Sequence, residues 1–270
     1  MKKILQLYFP VQPEMESPSN SILYKEYYPQ GKIAEYVFCY WTYTSPLKIE
    51  PFICHAVPDA CVDIYFNMNS QSCLKIISIA SSALDYKVEP GADFFGIRFF
   101  PGMVSSAYKI PVSDVCGRSI NVSDIISGGS NELEEKLYCA RSTQERIVIA
   151  GDYILKKIAD RNVSLDSRIG KALINIYNHN GVKSIDILAG DSGMSVKHFR
   201  RIFENNVGIS PKSFSKTIRF QNILSRIVKE KRYNSMKLAV DFEYYDQAHF
   251  LNDFRSVYGK DWKMSLFYNT

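Results

Sequence analysis

The sequence predicts an α+β protein in which a mainly β first half, with some helix, is followed by an all-α last third. Three observations predict it. The first hundred residues are short runs of Tyr, Phe, Val and Ile broken by Pro, Gly, Asn and Ser, the texture of successive strands and turns. Beyond Pro101-Gly102, apolar residues recur at three- and four-residue intervals, the period of amphipathic helices. Charge divides along the same line: residues 1 to 167 hold 16 Lys and Arg against 19 Asp and Glu, whereas residues 168 to 270 hold 17 against 9. An acidic first part and a strongly basic last part suit a chain of which one module approaches a polyanion.

Taken in order, the segment Met1 to Pro10 has a basic lead, but its apolar part is short and reaches Pro10 and Pro13 without a small-residue cleavage site. No unbroken apolar run is long enough to span a bilayer. A cytoplasmic protein with no membrane partner is expected. Strands are predicted over Ile22 to Tyr28, Glu35 to Tyr43, Phe52 to Val57, Cys61 to Met68, Leu74 to Ile79 and Phe94 to Phe100, at the spacing of a small barrel or sandwich. All six cysteines lie in this half or just after it, with no CxxC pair, so they are expected to pack as small apolar residues in a reducing compartment, with no metal. Helices follow over Glu132 to Cys139, Thr143 to Ala159 and Asp166 to Asn178. The polar interruption Asp160 to Ser164 divides the chain into a β-rich domain over 1–160 and a helical domain over 166–270.

The last third contains an internal repeat. Leu188-Ala189, Gly193-Met194-Ser195, Phe199 and Phe203 recur about fifty residues later as Leu238-Ala239, Tyr244-Tyr245-Asp246, Phe250 and Phe254. Each copy is a short helix, a tight turn and a second helix capped by Ser195 or Asp246, which is the helix-turn-helix pattern. With Phe199, Ile202 and Phe203 facing inward, the first copy presents Lys197, Arg200 and Arg201 outward near the helix start, with Ser195 at the cap. Arg suits bidentate contact with guanine, and Lys suits phosphate or base. The second copy leaves a nearly uncharged face of Gln247, Ala248, His249, Leu251 and Asn252, which fits A·T-leaning readout, although His249 can equally bond to local backbone. Between the copies Ser210-Pro211 starts a long apolar-striped helix to Lys229. Double-stranded DNA is the expected partner; an RNA reader of the sheet type would need an aromatic stacking platform that the basic half lacks.

The ordered set Leu188-Ala189, Gly193-Met194-Ser195, Phe199-Arg200-Arg201, Phe203, Gly208-Ile209-Ser210-Pro211-Lys212, Arg219-Phe220-Gln221 and Tyr244-Tyr245-Asp246-Gln247-Ala248-His249-Phe250, Phe254 resembles the AraC/XylS DNA-binding domain over about residues 166 to 268. The resemblance implies about seven helices, two recognition helices in adjacent major grooves, and a transcription activator that recruits RNA polymerase. In the first half, Tyr28-Pro29, Tyr36-Val37, Tyr40-Trp41, Pro58 to Ile64 and Gly96-Ile97-Arg98-Phe99, Pro101-Gly102 resemble a domain often found ahead of this module in regulators of unassigned ligand. That second resemblance implies a cupin-like β barrel and no reaction. Three positions depart from the family: Glu243 stands where the turn usually has Gly, Asn252 where Arg is frequent, and Gly259-Lys260-Asp261-Trp262 lacks the usual Pro. They imply that the first unit dominates affinity.

Two other readings compete for the first half. An enzyme could use Asp59 and Asp63, four apart and on one face, with His55 nearby; yet no HxH pair, GxSxG elbow or phosphate loop accompanies them, so no catalytic residue, metal or cofactor is assigned. A small-molecule-binding, cupin-like domain with the nucleic-acid-binding part as accessory would use aromatics, for which Tyr40, Trp41 and Tyr65 are the candidates; since Tyr36, Phe38, Tyr40, Trp41, Tyr65 and Phe66 alternate along strands, one set is expected to be core. The apolar stripe between Glu132 and Ala159 leaves a homodimer and packing within the chain equally open.

Overall fold

A computed structural model describes residues 7–13, 23–70, 74–77, 80–108, 119–121, 130–161, 165–230 and 234–259. Strands β1 (Leu23–Tyr27), β2 (Val37–Thr44), β3 (Phe52–Ala56), β4 (Val62–Asn67), β5 (Leu74–Ile77), β6 (Leu84–Val88), β7 (Asp93–Phe99) and β8 (Ser119–Asn121) precede or flank the short helix α1 (Met103–Tyr108). Six of them form one antiparallel sheet in the order β1-β2-β7-β4-β5-β8, and β3 and β6 pair as a second, two-stranded sheet. The two sheets face each other across a cavity lined from both, and the described strands close no ring of hydrogen bonds. Among the described residues the strand-rich part expected in the first half is built of these two sheets. The expected strand Leu74 to Ile79 is a strand to Ile77, its last two residues lying outside the described ones, while β6 and β8 were not expected.

Alternation decides what each face of the large sheet does. Phe38 and Tyr40 of β2, Ile64 and Phe66 of β4, and Phe95, Ile97 and Phe99 of β7 are buried on one side. Helices α2 (Ser130–Cys139) and α3 (Thr143–Arg161) supply Leu133, Leu137, Ala150, Ile154 and Ile158 to that same core. The stripe that could have paired two chains is therefore buried within one. Helix α3 also runs two residues into the polar interruption expected to end it, because its Ile154 and Ile158 keep the last turns seated in the core. Cys39, Cys54 and Cys61 are buried thiols, as their apolar settings suggested, whereas Cys139 is exposed; Cys73 and Cys116 lie outside the described residues.

Six described helices make up the last third: α4 (Ser167–Asn178), α5 (Ile185–Asp191), α6 (Val196–Val207), α7 (Pro211–Glu230), α8 (Ser235–Asp241) and α9 (Gln247–Tyr258). Local chemistry starts each of the short ones. Ser184, Ser195, Asn234 and Asp246 each accept a hydrogen bond from the backbone N–H three residues on, and each such cap stabilises its helix by about 1 kcal/mol. Ser210 caps α7 through the N–H of Ser213, and Pro211 occupies the first turn, where its missing N–H costs nothing.

Helix α7 belongs to two of the three buried clusters among the described residues. Phe199, Phe203, Phe214 and Ile218 join the helix-facing side of the large sheet in one continuous cluster. Phe220, Ile223, Leu224 and Ile227 join Phe250, Phe254 and Tyr258 in the second. The segment 7–13 straps the two together: Tyr8 stacks on Tyr177 at 5.1 Å and donates to the Asp59 carbonyl at 2.5 Å. The buried amide of Gln221 on α7 accepts from the Val11 N–H at 2.9 Å and donates to the Pro58 carbonyl at 2.7 Å. Removing it strands buried backbone groups, so Gln221→Leu is expected to lower stability by about 2 kcal/mol in denaturant titration. A glycine sets a second close approach. A Cβ on Gly181 would stand 2.1 Å from the Ser215 carbonyl of α7, and Gly181→Ala should lower the melting temperature clearly more than an exposed Gly190→Ala change, which meets no atom.

Candidate nucleic-acid interface and ligand cavity

Helices α5 and α6 form the first turn-linked pair, α8 and α9 the second. On α6 the inward residues Phe199, Phe203 and Val207 are buried and Ile202 is half-buried against the same core. That burial fixes Lys197, Arg200 and Arg201 on the open face, with Ser195 exposed at its start. Among the described residues no carboxylate lies within ion-pair distance of the three cations; the one side-chain contact is Arg201 Nη2 to His198 Nδ1 at 3.3 Å. Three uncompensated positive charges on one and a half turns repel one another, and only a polyanion or salt relieves that.

The open face of α9 is different. Gln247, Ala248, His249 and Asn252 are exposed as expected. Leu251 is not: it is half-buried against the second core, because that core is wider than the Phe250 and Phe254 pair and takes in the flanking position. Gln247 donates to Ser235 on α8 at 2.5 Å, and the His249 ring packs edge-on to Tyr244 at 5.3 Å. Two of the expected readers are thus already engaged, Gln247 with the start of α8 and His249 with the turn before α9. The nearby Lys216 is neutralised by Asp253 at 2.5 Å. Arg219, quoted in the sequence only as part of a motif, proves to link the second unit to the connection between α4 and α5: its guanidinium lies 4.9 Å from the centre of the Tyr244 ring and reaches the Gly181 carbonyl at 3.5 Å.

The cavity between the two sheets has a volume of about 390 Å³. Trp41 and Tyr65 line it, stacked at 6.5 Å. Tyr40 does not. It points to the opposite side of β2, buried against Phe95 and close to Gly151 of α3, since neighbouring strand residues face opposite ways. Trp41 lies flat over Gly96, where any Cβ would meet the indole at 1.9 Å. At one end Arg98 is buried among carboxylates, bidentate to Asp63 at 3.0 Å, 3.5 Å from Asp59 and 3.6 Å from Glu26. Burial pushes the Asp63 carboxyl up, and Arg98 opposes that shift. Burial works against the Arg98 charge, yet Asp63 and Asp59 more than offset it and raise its pKa. Asp59 and Asp63 therefore share a face as expected, but both serve Arg98, and His55 instead contacts Asp85 at 2.6 Å and the Tyr258 carbonyl of α9. These three do not converge on a common reacting point.

Residues 188–261 match the family model described as a helix-turn-helix domain. The last third of the chain thus carries a helix-turn-helix domain. Residues 25–121 match a domain of unknown function, DUF6597. An uncharacterised HTH-type transcriptional regulator of Haemophilus influenzae is 31% identical over 94 residues, 34% of this chain and 31% of that protein. The chain thus spans about a third of the length of that relative. Among solved structures, an apo variant of ToxT from Vibrio cholerae strain SCE256 aligns over 92% of this chain and 98% of its own at 10% identity and a TM-score of 0.39. ToxT from Vibrio cholerae O395 aligns over 93% and 99% at 11% identity and a TM-score of 0.36.

In this helix-turn-helix domain the two turns have the same backbone and different residues. Gly193 adopts φ 66° and Glu243 adopts φ 54°. Left-handed backbone costs a side-chain-bearing residue about 1–2 kcal/mol, so Glu243 carries strain that Gly193 does not. Part of any relief is offset by the greater freedom of glycine in the unfolded chain. Glu243→Gly should therefore raise stability by about 0.5–1 kcal/mol, and Gly193→Ala, which meets no neighbouring atom, should lower it by about 1 kcal/mol through φ alone; thermal melts of the two variants check both signs.

Proposed function

We propose that the chain is a sequence-specific regulator of transcription, an activator, that binds double-stranded DNA through α6 and α9, with the β-rich part sensing a small-molecule effector. The observation that carries the reading is the exposed trio Lys197, Arg200 and Arg201, unpaired with any described carboxylate, on the second helix of a capped helix-turn-helix. Ser195, Lys197, Arg200 and Arg201 form the reading surface of the first unit. Gln247, Ala248, His249 and Asn252 form that of the second, with Leu251 shaping it from below. Because Gln247 is engaged by Ser235 and no cation stands on the first turns of α9, the first unit supplies most of the affinity. RNA polymerase is the proposed protein partner, in line with the resemblance to AraC/XylS regulators.

The β-rich part is coupled to the reading helices by contact. Val57, Pro58 and Asp59 line the cavity, and the Pro58 carbonyl accepts from Gln221 of α7. A ligand that shifts this short loop shifts the helix on which both units are mounted.

Genome-wide DNA capture with the intact protein tests the reading beside a folded Arg200→Ala/Arg201→Ala double variant. Discrete sites are expected with the intact chain and none with the variant; retention of the same sites by the variant overturns the assignment of α6. On a captured site, the salt dependence of binding should lose about two units of slope in the double variant, if both side chains face phosphate. A Gln247→Ala/Asn252→Ala variant should lose less affinity than the arginine pair, and an equal loss would remove the ranking of the two units.

A further inference from the structure

The cavity-facing side of the large sheet is a row of aromatic rings. Tyr24 and Trp41 lie 6.4 Å apart, Tyr65 and Phe94 5.9 Å, and Phe94 and Tyr43 6.3 Å, and Tyr86 of β6 lines the facing wall. The faces of such rings carry negative electrostatic potential and attract cations. The charged end adds to that field. One guanidinium is surrounded by Asp59, Asp63 and Glu26, and its contacts to them occupy Nε, Nη1 and Nη2. Arg98 is thus already committed to carboxylates and offers little to an incoming anion, while the acids outnumber it. Glu26 is held further by the Tyr24 and Tyr28 hydroxyls, each at 2.6 Å. Lys87, the other cation of the lining, is paired with Glu89 at 2.7 Å. Finally, the Tyr43 hydroxyl is buried in the lining with no hydrogen-bond partner among the described residues, a group that a native interior seldom leaves unmet unless something else meets it.

We propose that this cavity binds an organic cation with a flat apolar body, its positive end drawn towards Asp59 and Asp63 and its body among Trp41, Tyr43, Tyr65 and Tyr86. The proposal rests on reading the β-rich part as the sensing part and names the class of ligand sensed. Carboxylate-bearing amphiphiles are disfavoured by the same arrangement, since they would enter a ring-lined space whose one buried cation is already matched.

Calorimetric titration of the full chain with (2-naphthylmethyl)trimethylammonium, 2-naphthylacetate and 2-naphthylmethanol separates charge from shape, because the three share one ring system. The cation should bind and raise the melting temperature, the alcohol should bind about tenfold more weakly, and the carboxylate more weakly still. Asp59→Asn, which preserves size, should weaken the cation about tenfold and leave the alcohol unchanged. Tyr65→Leu, placed on the wall away from the carboxylates, should weaken all three probes, and it serves as the test if Asp59→Asn does not fold. Equal or tighter binding of 2-naphthylacetate, or no binding of the cation at millimolar concentration, overturns the proposal. Neither readout uses DNA, so cation binding without captured genomic sites would sink the regulator reading and leave the ligand assignment standing.

Discussion

Three consecutive residues at the middle of α7 point in three directions, and the arrangement of the molecule depends on them. Arg219 reaches back to the Gly181 carbonyl and across to the Tyr244 ring, joining the connection between α4 and α5 to the second turn-linked pair. Phe220 enters the second core against Phe254 at 4.9 Å. Gln221 faces the β-rich part and completes its backbone hydrogen bonds at Val11 and Pro58. A helix advances by 100° per residue, so three successive positions cover most of its circumference; at this level α7 has almost no face left for water. A helix joining two small units would otherwise leave each free to swing on its linker. Here its middle is gripped from all sides, and its geometry is set by partners distant in sequence.

The loop that receives Gln221 is itself tightly specified. Ala60 is fully buried at φ 59°, a conformation that non-glycine residues adopt at a cost. Around it the Asp59 carboxylate accepts from the Cys61 N–H at 2.9 Å, its carbonyl accepts from Tyr8, and Gln12 exchanges two hydrogen bonds with Val57. Strain of this kind persists only where the surroundings over-determine the backbone. Cavity wall and α7 seat are therefore one stiff object. His55 and Ala83 make a second set of contacts on the same side, to the backbone at Tyr258 and Val257 at the end of α9.

Local signals made the helical third legible. Caps at Ser195 and Asp246, the Ser210-Pro211 start and the paired phenylalanines are written in short windows, and the structure places each where spacing put it. Strand positions were legible for the same reason, except where the signal is weak: β6 buries only Val88 and so lacks a clean alternation. What local windows do not carry is which side of a strand is covered. Tyr40 and Trp41 are equally aromatic neighbours, yet one fills the helix-facing core and the other the cavity. Arg98 shows the limit most clearly. It sits in an apolar run that reads as core, and its partners Glu26, Asp59 and Asp63 come from segments 35 to 72 residues away. Leu251 was misplaced because two phenylalanines define the direction of a buried face but not its width.

The inequality of the two turn-linked units has a geometric consequence. Symmetric dimers that read nucleic acid are related by a two-fold axis and can sit on a palindrome either way round. Within one chain, a cationic α6 and a nearly neutral α9 are related by no such axis. A duplex engaged by both therefore has a left and a right, and the rest of the molecule is carried to one defined end. Polarity along the double helix, which a symmetric pair would have to obtain elsewhere, is built into the order of two helices in a single polypeptide.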